Sequence, residues 1–428
     1  MIEPIILKGF RDSLPSEEIP RKQIIRKLEE VFRSFGFVPI DTPVLEYENI
    51  LLGKGGGETD KQIFHFEDNG GRKVAMRFDH TVPFARFLAA HLNELALPVR
   101  CYQISKVWRG EKPQKGRYRE FFQCDFDIVG ADNAESDSEI LALMYRSFAA
   151  LGIEKFSFHV AHRGLFNDFL AEIGLTEKSI DILRSVDKLG KIGEEKVKEE
   201  LLEITGSEEK SNLLIQYVTS GKGKSFIETL ESLVALVGHE TESSQRMREI
   251  WDLITACGIQ DAFVFDPSIT RGLDYYTGVV YETFLGGAEY MGSVCSGGRY
   301  NELASLYTKE HLPGVGCAIG LDRLIAALIE LKSPIVSNSA SADIIIFHKP
   351  EETALAFSTA YKLRENGINT DLYILPEKKM KAQYDYAAKN QITKSLSFNK
   401  EGNFAVKDLT TREIHDCTTI DEVIALCR

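Results

Sequence analysis

The sequence predicts an α+β protein in which a sheet-containing domain is interrupted by a helical segment and followed by a small α/β domain. Strand patterns lie on either side of a charged, mostly helical stretch at 168–258. A small polar run at 333–341 suits a linker, and a new alternation of strands and helices follows it. We therefore expect domains at 1–335 and 341–428, with 168–258 inserted in the first.

Composition limits the class of protein. Hydrophobic residues make up 43% and charged residues 27% of the 428 residues, which is ordinary for a soluble globular protein. No apolar run approaches the roughly 18–20 residues that span a bilayer, and the N-terminus lacks a signal-peptide pattern. The seven cysteines are scattered singly, which indicates reduced thiols rather than a disulfide framework or a zinc site. These features predict a cytoplasmic protein without a membrane anchor.

The distribution of charge leaves a nucleic-acid partner open. A net charge of −13 argues against one, because phosphate contacts need Lys and Arg. Residues 106–119, however, carry six basic side chains and one acidic one, a local balance of +5. Residues 341–428 hold 12 basic and 13 acidic residues and are close to neutral. A sum over the whole chain hides such local fields, so the charge does not exclude RNA.

The first elements are a helix and an extended segment. Apolar residues from Ile24 to Phe35 recur at helical spacing, and Gly36 is placed where a helix ends. The next segment, 37–46, carries Pro39 and Pro43. Proline cannot donate to a sheet, so this segment is predicted to be an edge strand or a packed extended chain.

A hairpin at about 98–130 is the most informative part of the chain. Its second strand alternates between an apolar face and a polar face with one aromatic residue; the polar face consists of Phe121, Gln123, Asp125 and Asp127. Arg109 and Glu111 lie at the end of the first strand. A charged loop is usually a solvated turn, but Arg suits phosphate oxygens and an exposed aromatic can stack on a purine. This mixture favours a site for a nucleotide and an amino acid.

Two later motifs add candidate site residues. In segment 271–278, a Tyr-rich strand could explain Tyr275 or Tyr276 alone, but Arg271 has little to pack against and is harder to explain in this way. In segment 314–323, Gly316, Ala318 and Gly320 form a small-residue strand face that lets a flat group approach the backbone. Arg323 follows in the next helix, for which we expect Leu321, Leu324, Ile325, Leu328 and Ile329 to point inward. The glycine spacing matches neither a dinucleotide fingerprint nor a P-loop, which argues against a dehydrogenase or a kinase.

Taken in order, these pieces resemble the signature motifs of the class II aminoacyl-tRNA synthetases. Segment 36–46 resembles motif 1, the dimer-interface element; Arg109–Phe121 resembles motif 2, and 314–323 resembles motif 3. The resemblance implies a mixed, largely antiparallel sheet flanked by helices, a helical insertion and a C-terminal α/β anticodon-binding domain.

Further segments are similar to those that distinguish the histidyl-tRNA synthetases within this class, and the similarity covers essentially the whole chain. These segments are 8–12, 77–86, 271–278 and 297–300. Phe78 and His80 stand where the family commonly has small or aliphatic residues, and Asp322 replaces the more usual Glu. The resemblance implies ATP with Mg²⁺, L-histidine and a tRNA as ligands, a homodimer, and no metal held by the protein's own side chains.

Residue roles follow from the same resemblance. It implies a histidine site formed by Asp79, His80, Thr81, Arg109, Gln123, Asp127, Arg271, Tyr275 and Tyr276. It implies an ATP site formed by Arg109, Glu111, Arg117, Phe121 and Arg323. Arg109, Arg271 and Arg323 are the expected catalytic residues, because they would stabilise charge on the phosphate oxygens.

Three alternatives remain open on sequence alone. A regulatory subunit of ATP phosphoribosyltransferase would share the fold and bind histidine, but it usually lacks the C-terminal domain and the ATP-contacting arginines. An RNA-binding protein with a degenerate synthetase core would bind tRNA without activating an amino acid. A prolyl, threonyl or glycyl enzyme would differ from the expectation in its pocket residues.

Overall fold

The computed structural model describes residues 1–52, 62–114, 116–269, 276–337, 339–399 and 402–427. The chain divides into two compact units, one formed by Met1–Arg11 and Ile25–Ser333 and the other by Asp12–Ile24 and Pro334–Arg428. In the described part of the chain, no helix combines the length and the apolar character that a membrane crossing requires.

Strands and helices are numbered in chain order. The strands are β1 Val38–Pro39, β2 Leu45–Tyr47, β3 His65–Glu67, β4 Lys73–Met76, β5 Val99–Trp108, β6 Glu120–Val129, β7 Phe156–His162, β8 Phe263–Phe265, β9 Val279–Leu285, β10 Cys295–Arg299, β11 Gly314–Gly320, β12 Ile344–Ile346, β13 Thr370–Leu372, β14 Lys394–Phe398, β15 Phe404–Asp408 and β16 Ile414–Cys417. The helices are α1 Pro15–Ser34, α2 Glu48–Leu51, α3 Thr81–His91, α4 Ala134–Ala150, α5 Arg163–Glu172, α6 Ser179–Val186, α7 Leu189–Ile192, α8 Glu194–Thr205, α9 Glu208–Thr219, α10 Phe226–Val237, α11 Glu242–Ala256, α12 Leu321–Glu330, α13 Thr353–Glu365, α14 Met380–Lys389 and α15 Ile420–Cys427.

The first unit is built on a sheet with the strand order β1-β5-β6-β11-β10-β9-β7-β8. β1 is parallel to β5 and β8 is parallel to β7, whereas the pairs between them are antiparallel. The predicted mixed, largely antiparallel sheet is therefore confirmed. The proline-bearing segment forms an edge strand as expected, and Gly36 ends α1 with a φ of 77°, a backbone conformation that glycine adopts without strain.

Both faces of β6 are buried. Cys124, Phe126 and Ile128 belong to the apolar core, as their alternation predicts. Gln123 and Asp127 on the opposite face are buried as well. Buried polar groups need partners, so this second face is a candidate binding surface rather than a solvated one.

One expectation for α12 is wrong. Leu321, Leu324, Ile325 and Leu328 are buried, but Ile329 is 57% exposed. At about 100° per residue, Ile329 lies roughly 90° away from the centre of the stripe that the other four share. An apolar residue next to such a stripe in sequence is not necessarily part of it.

The predicted helical stretch is confirmed as a set of helices between two neighbouring strands. Helices α5 to α11 follow β7 and precede β8, and these two strands pair directly. The second unit has a sheet of order β13-β12-β14-β15-β16, parallel around β12 and antiparallel beyond β14. Apolar side chains of α13 and α15 pack on it, so this unit has its own core.

Candidate active site

An open cavity of ≈ 610 Å³ lies in the first unit, where the β5–β6 connection, the end of β11 and the start of α12 meet. Strand ends and a helix start bring distant parts of the chain to one place. The cavity is lined by Arg109, Glu111, Gly116, Arg117, Tyr118, Phe121, Gln123, Ser293, Val294, Cys295, Ser296, Ala318, Gly320, Asp322 and Arg323.

Three arginines share this cavity: Arg109, Arg117 and Arg323. Burial lowers the pKa of Arg323 below its usual value, and the positive charges of Arg117 and Arg109 lower it further. The guanidinium groups are thus close enough to repel one another, and a multiply charged anion would relieve that repulsion. Arg323 Nη1 donates to the carbonyl oxygen of Ser293 at 2.7 Å, which orients its side chain.

Two aromatic rings hold Arg109. Its Nε donates to the carbonyl oxygen of Phe78 at 3.2 Å. Its Cζ lies 4.4 Å from the ring centroid of Phe78 and 5.2 Å from that of Phe121, within the range of cation–π attraction. Phe121 therefore borders both Arg109 and the cavity, and its stacking on a purine stays a prediction.

The basic loop between β5 and β6 folds back on itself. Arg117 Nε lies 2.9 Å from Glu111 Oε2, and Arg119 Nε donates to the carbonyl oxygen of Glu111 at 3.1 Å. The backbones of Gln114 and Arg117 exchange hydrogen bonds of 3.0 and 2.9 Å. The described part of the loop is thus held by contacts of its own, while Lys112, Gln114 and Arg117 stay exposed.

The N-terminal segment fastens this loop to α12. Arg11 Nη2 lies 2.6 Å from Asp322 Oδ1, and Arg11 Cζ lies 4.3 Å from the ring centroid of Tyr118. Asp322 Oδ2 accepts from the backbone N–H of Phe122 at 2.7 Å. Asp322 therefore links three segments next to Arg323. Arg11 and Tyr118 were not among the predicted site residues.

Several carboxyl groups lie on the other side of Gln123. Asp79 stands before α3, and its Oδ1 accepts from the backbone N–H of Val82 at 3.1 Å. Burial raises the pKa of Asp79, an effect that this hydrogen bond and the charge of Arg109 oppose. Thr81 begins α3 and is half-buried. The electrostatic interaction between Asp79 and Arg109 connects this side to the arginine cluster.

Asp127 has a tyrosine partner that the sequence analysis did not name. The hydroxyl of Tyr300 donates to Asp127 Oδ1 at 2.5 Å. Burial raises the pKa of Asp127 well above its usual range, and the nearby carboxyl groups of Asp125 and Asp79 raise it further. Burial also raises the pKa of Tyr276, again with these carboxyl groups contributing. Asp79, Asp127 and Tyr276 are therefore neighbours.

Some small residues of β11 pack against other side chains of the chain, and others line the cavity. A side chain at Gly314 would overlap the ring of Tyr300, and one at Gly316 would overlap the carboxyl group of Asp127. Only Ala318 and Gly320 line the cavity. Of the three positions predicted to let a ligand approach, Gly316 is thus covered by the chain's own Asp127, which the alternation of small residues could not reveal.

The structure brings most of the described candidates together. Arg109, Glu111, Arg117, Phe121, Gln123 and Arg323 line the cavity, and Asp79, His80, Asp127 and Tyr276 are buried or lie against the buried carboxyl groups. Arg271 and Tyr275 lie outside the described residues. Asp125 and Tyr300 were missed: Asp125 shares the strand face of Gln123 and Asp127, and Tyr300 ends a Gly-Gly-Arg-Tyr motif.

Comparisons with known proteins identify the family of this chain. A family model described as Histidyl-tRNA synthetase matches residues 9–324. A histidine–tRNA ligase from Treponema denticola is 49% identical, with 100% of this chain and 98% of the relative covered. One from Rhodopirellula baltica is 44% identical, with 97% and 96% covered. The crystal structure of a histidyl-tRNA synthetase from Nostoc sp. PCC 7120 superposes with a TM-score of 0.88 at 29% identity, covering 100% of this chain and 99% of that one. The chain belongs to the histidyl-tRNA synthetase family.

Proposed function

We propose that this chain is a histidine–tRNA ligase. It activates L-histidine with ATP to give histidyl-adenylate and pyrophosphate, and then transfers histidine to the 3′ end of its tRNA. The observation that carries the proposal is the meeting of three guanidinium groups with a buried carboxyl cluster in one site. The first arrangement suits a triphosphate, and the second suits an amino acid with a polar side chain.

Activation needs positioning more than proton transfer. The carboxylate of histidine attacks the α-phosphorus of ATP in line, a bond forms between them, and pyrophosphate leaves with its electron pair. Arg109 and Arg323 hold the phosphate chain and stabilise the charge that develops on its oxygens. We expect Arg271 to join them. We expect Mg²⁺ to enter with ATP as part of the MgATP substrate.

Selection of histidine is assigned to Asp127 and its neighbours. The carboxylate of Asp127 can accept an N–H of the imidazole ring, and Tyr300 holds this carboxylate in place. A side chain without a matching donor would leave a buried carboxylate unpaired, which is costly. Tyr275 and Tyr276 are proposed to border the ring, and Asp79, His80, Thr81 and Gln123 to surround the amino-group end of the substrate.

The remaining assignments concern the tRNA and the assembly. We propose a catalytic domain at 1–335 with an insertion at 168–258, and an anticodon-binding domain at 341–428. The edge segment 36–46 is proposed to form the interface of a homodimer, and the protein is expected to act in the cytoplasm. Support comes from the family and from the separate core of the second unit.

The alternatives have less support. The family model and relatives named as histidine–tRNA ligases over nearly their whole length do not favour a prolyl, threonyl or glycyl enzyme. A regulatory subunit of ATP phosphoribosyltransferase or a tRNA-binding relative without activity would not need three arginines around one cavity.

The test is amino-acid-dependent exchange of pyrophosphate into ATP by the purified full-length chain, run with each of the twenty amino acids. Histidine alone should support exchange, and tRNA from a bacterial source should then be charged with histidine. Absence of exchange with histidine would remove the proposal, and exchange with another amino acid would reassign the pocket.

A further inference from the structure

A row of polar side chains crosses the sheet beside the carboxyl cluster, from Arg77 through Ser105 and His80 to Asp125. Arg77 Nη2 donates to Ser105 Oγ at 2.7 Å. Ser105 Oγ lies 3.0 Å from His80 Nε2, and His80 Nδ1 lies 3.3 Å from Asp125 Oδ1. His80 is 2% exposed and Asp125 is 3% exposed, so water does not replace these contacts.

The donors in this row determine where the proton of His80 lies. Arginine only donates, and so does the amide nitrogen of Gln103, which approaches Ser105 Oγ at 3.3 Å. A hydroxyl offers two acceptor positions and one proton. With both acceptor positions taken, the proton of Ser105 points to His80 Nε2. This arrangement makes His80 Nε2 the acceptor and leaves Nδ1, the atom that faces Asp125, as the donor.

The approach of His80 to Asp125 is close but not aligned for a hydrogen bond, and both atoms lack another partner among the described residues. A small rotation of either side chain would complete the bond. His80 would then hold one oxygen of Asp125 and fix the direction of the other. His80 and Asp125 thus form one unit.

Asp125 lies on the strand face that carries Gln123 and Asp127, and its cross-strand neighbour is the small residue Ala318. Gln123 borders the cavity, is buried, and its Oε1 has no hydrogen-bond partner within the part of the chain that is described. Burial raises the pKa of Asp79, and the charge of Asp125 contributes to the rise. Two acceptors, Gln123 Oε1 and Asp125 Oδ1, thus have no hydrogen-bond donor among the described residues, which indicates a cationic ligand with several N–H groups.

We propose that Asp125 accepts a hydrogen bond from the α-ammonium group of the amino-acid substrate, and that His80 is the positioning residue that orients it. The inference rests on the proposed function, since it assumes an amino acid in this pocket. An ammonium group has three donors, and Asp79, Gln123 and Asp125 supply three acceptors. Charge-assisted hydrogen bonds of this kind are stronger than neutral ones.

The first test compares three probes by calorimetric titration of the full-length chain: L-histidine, histidinol and imidazolepropionate. The first two carry the amino group, and the third lacks it. Asp125→Asn should weaken binding of L-histidine and histidinol by roughly 10- to 100-fold, the usual value of a hydrogen bond to a charged group. Binding of imidazolepropionate and ATP should be unchanged.

The matched control is Asp41→Asn. Asp41 is 82% exposed and lies 3.6 Å from Arg77, the same arginine that begins the row. The Asp41→Asn substitution should leave the binding of all three probes unchanged. Equal weakening of the three probes by Asp125→Asn, or no weakening of any, would overturn the role of Asp125. Unchanged ATP binding establishes that the variant is folded.

Two variants test His80. In His80→Asn the amide nitrogen takes the place of Nδ1–H and should retain most of the preference for probes with an amino group. In His80→Leu this donor is lost, and the preference should fall. The positioning role of His80 is refuted if both variants lose the preference for probes with an amino group equally, or if His80→Leu keeps that preference. Histidine-dependent pyrophosphate exchange by the unaltered chain reports on the proposed function separately: an active chain insensitive to Asp125→Asn refutes only this inference.

Discussion

Replacing Asp127 by asparagine should weaken the recognition of histidine without destabilising the folded chain. Asparagine has the same shape, and Tyr300 can still donate to its side-chain oxygen. The other end of the side chain becomes a donor and can no longer accept an imidazole N–H. Losing a hydrogen bond to a buried charged acceptor costs about 1.5–3 kcal/mol, so the Michaelis constant for histidine should rise by roughly 10- to 100-fold.

The same substitution should make the chain more stable at neutral pH. Burial, together with Asp125 and Asp79, raises the pKa of Asp127 well above its usual value. Without histidine bound, the folded state then holds a proton that the unfolded state releases once the pH exceeds the unfolded pKa of about 4. The free energy of unfolding therefore falls as pH rises from there to the raised folded pKa. The uncharged amide of the Asp127→Asn variant does not titrate, so it does not cause this fall in the free energy of unfolding. The melting temperature of the variant should therefore be higher than that of the unaltered chain at pH 7.5.

The assay is pyrophosphate exchange at varied histidine and varied ATP, with melting curves at pH 5 and pH 7.5. Tyr300→Phe is the companion variant, because it keeps the carboxyl group and removes the 2.5 Å hydrogen bond. It should also raise the Michaelis constant for histidine. Equal changes in the constants for histidine and ATP, or a lower melting temperature for Asp127→Asn at pH 7.5, would refute the assignment.

Three further outcomes are expected. Arg323→Ala should lower the exchange rate by roughly 10²- to 10³-fold without altering the circular dichroism spectrum; a near-normal rate would remove Arg323 from the site. Burial, with the charges of Arg246 and Arg299, lowers the pKa of His162 to about 3. Burial of His162 therefore does not destabilise the folded state above about pH 6.5, but it lowers the free energy of unfolding increasingly as pH falls towards 3. His162→Asn, which can still cap α5, should therefore reduce the loss of melting temperature on acidification, and an unchanged pH profile would contradict this. Deleting 341–428 should spare exchange but impair tRNA charging, and undiminished charging would contradict the anticodon-binding assignment.

Local patterns predicted most of the fold. The alternation in β6 gave its apolar face, and the prolines of 37–46 placed that segment at a sheet edge. These features depend on side-chain periodicity and backbone geometry, which act over a few residues. Ile329 is the exception, because the width of a buried helical stripe depends on what packs against the helix.

The site was harder to predict, since its partners are distant in sequence. Tyr300 and Asp127 are 173 residues apart and meet only through sheet pairing. The Gly-rich face of β11 indicated close approach correctly, but not that Asp127 would fill the space at Gly316. Asp125 could have been named from its alternation with Gln123 and Asp127. Family resemblance does not point to Asp125, and its neighbour His80 departs from the family pattern.

The charges of the site suggest why Arg109 is central. The reaction joins two anions, the carboxylate of an amino acid and the α-phosphate of ATP, and their repulsion at a few ångströms must be offset. Arg109 adds to the positive field that lowers the pKa of Arg323, and it also opposes the rise in the pKa of Asp79. It therefore lies between the arginine cluster and the carboxyl cluster, and its rigid support by Phe78 keeps a cation there before either substrate arrives. Since a preorganised charge costs no rearrangement during the reaction, the boundary between the two clusters is the place where the new bond is expected to form.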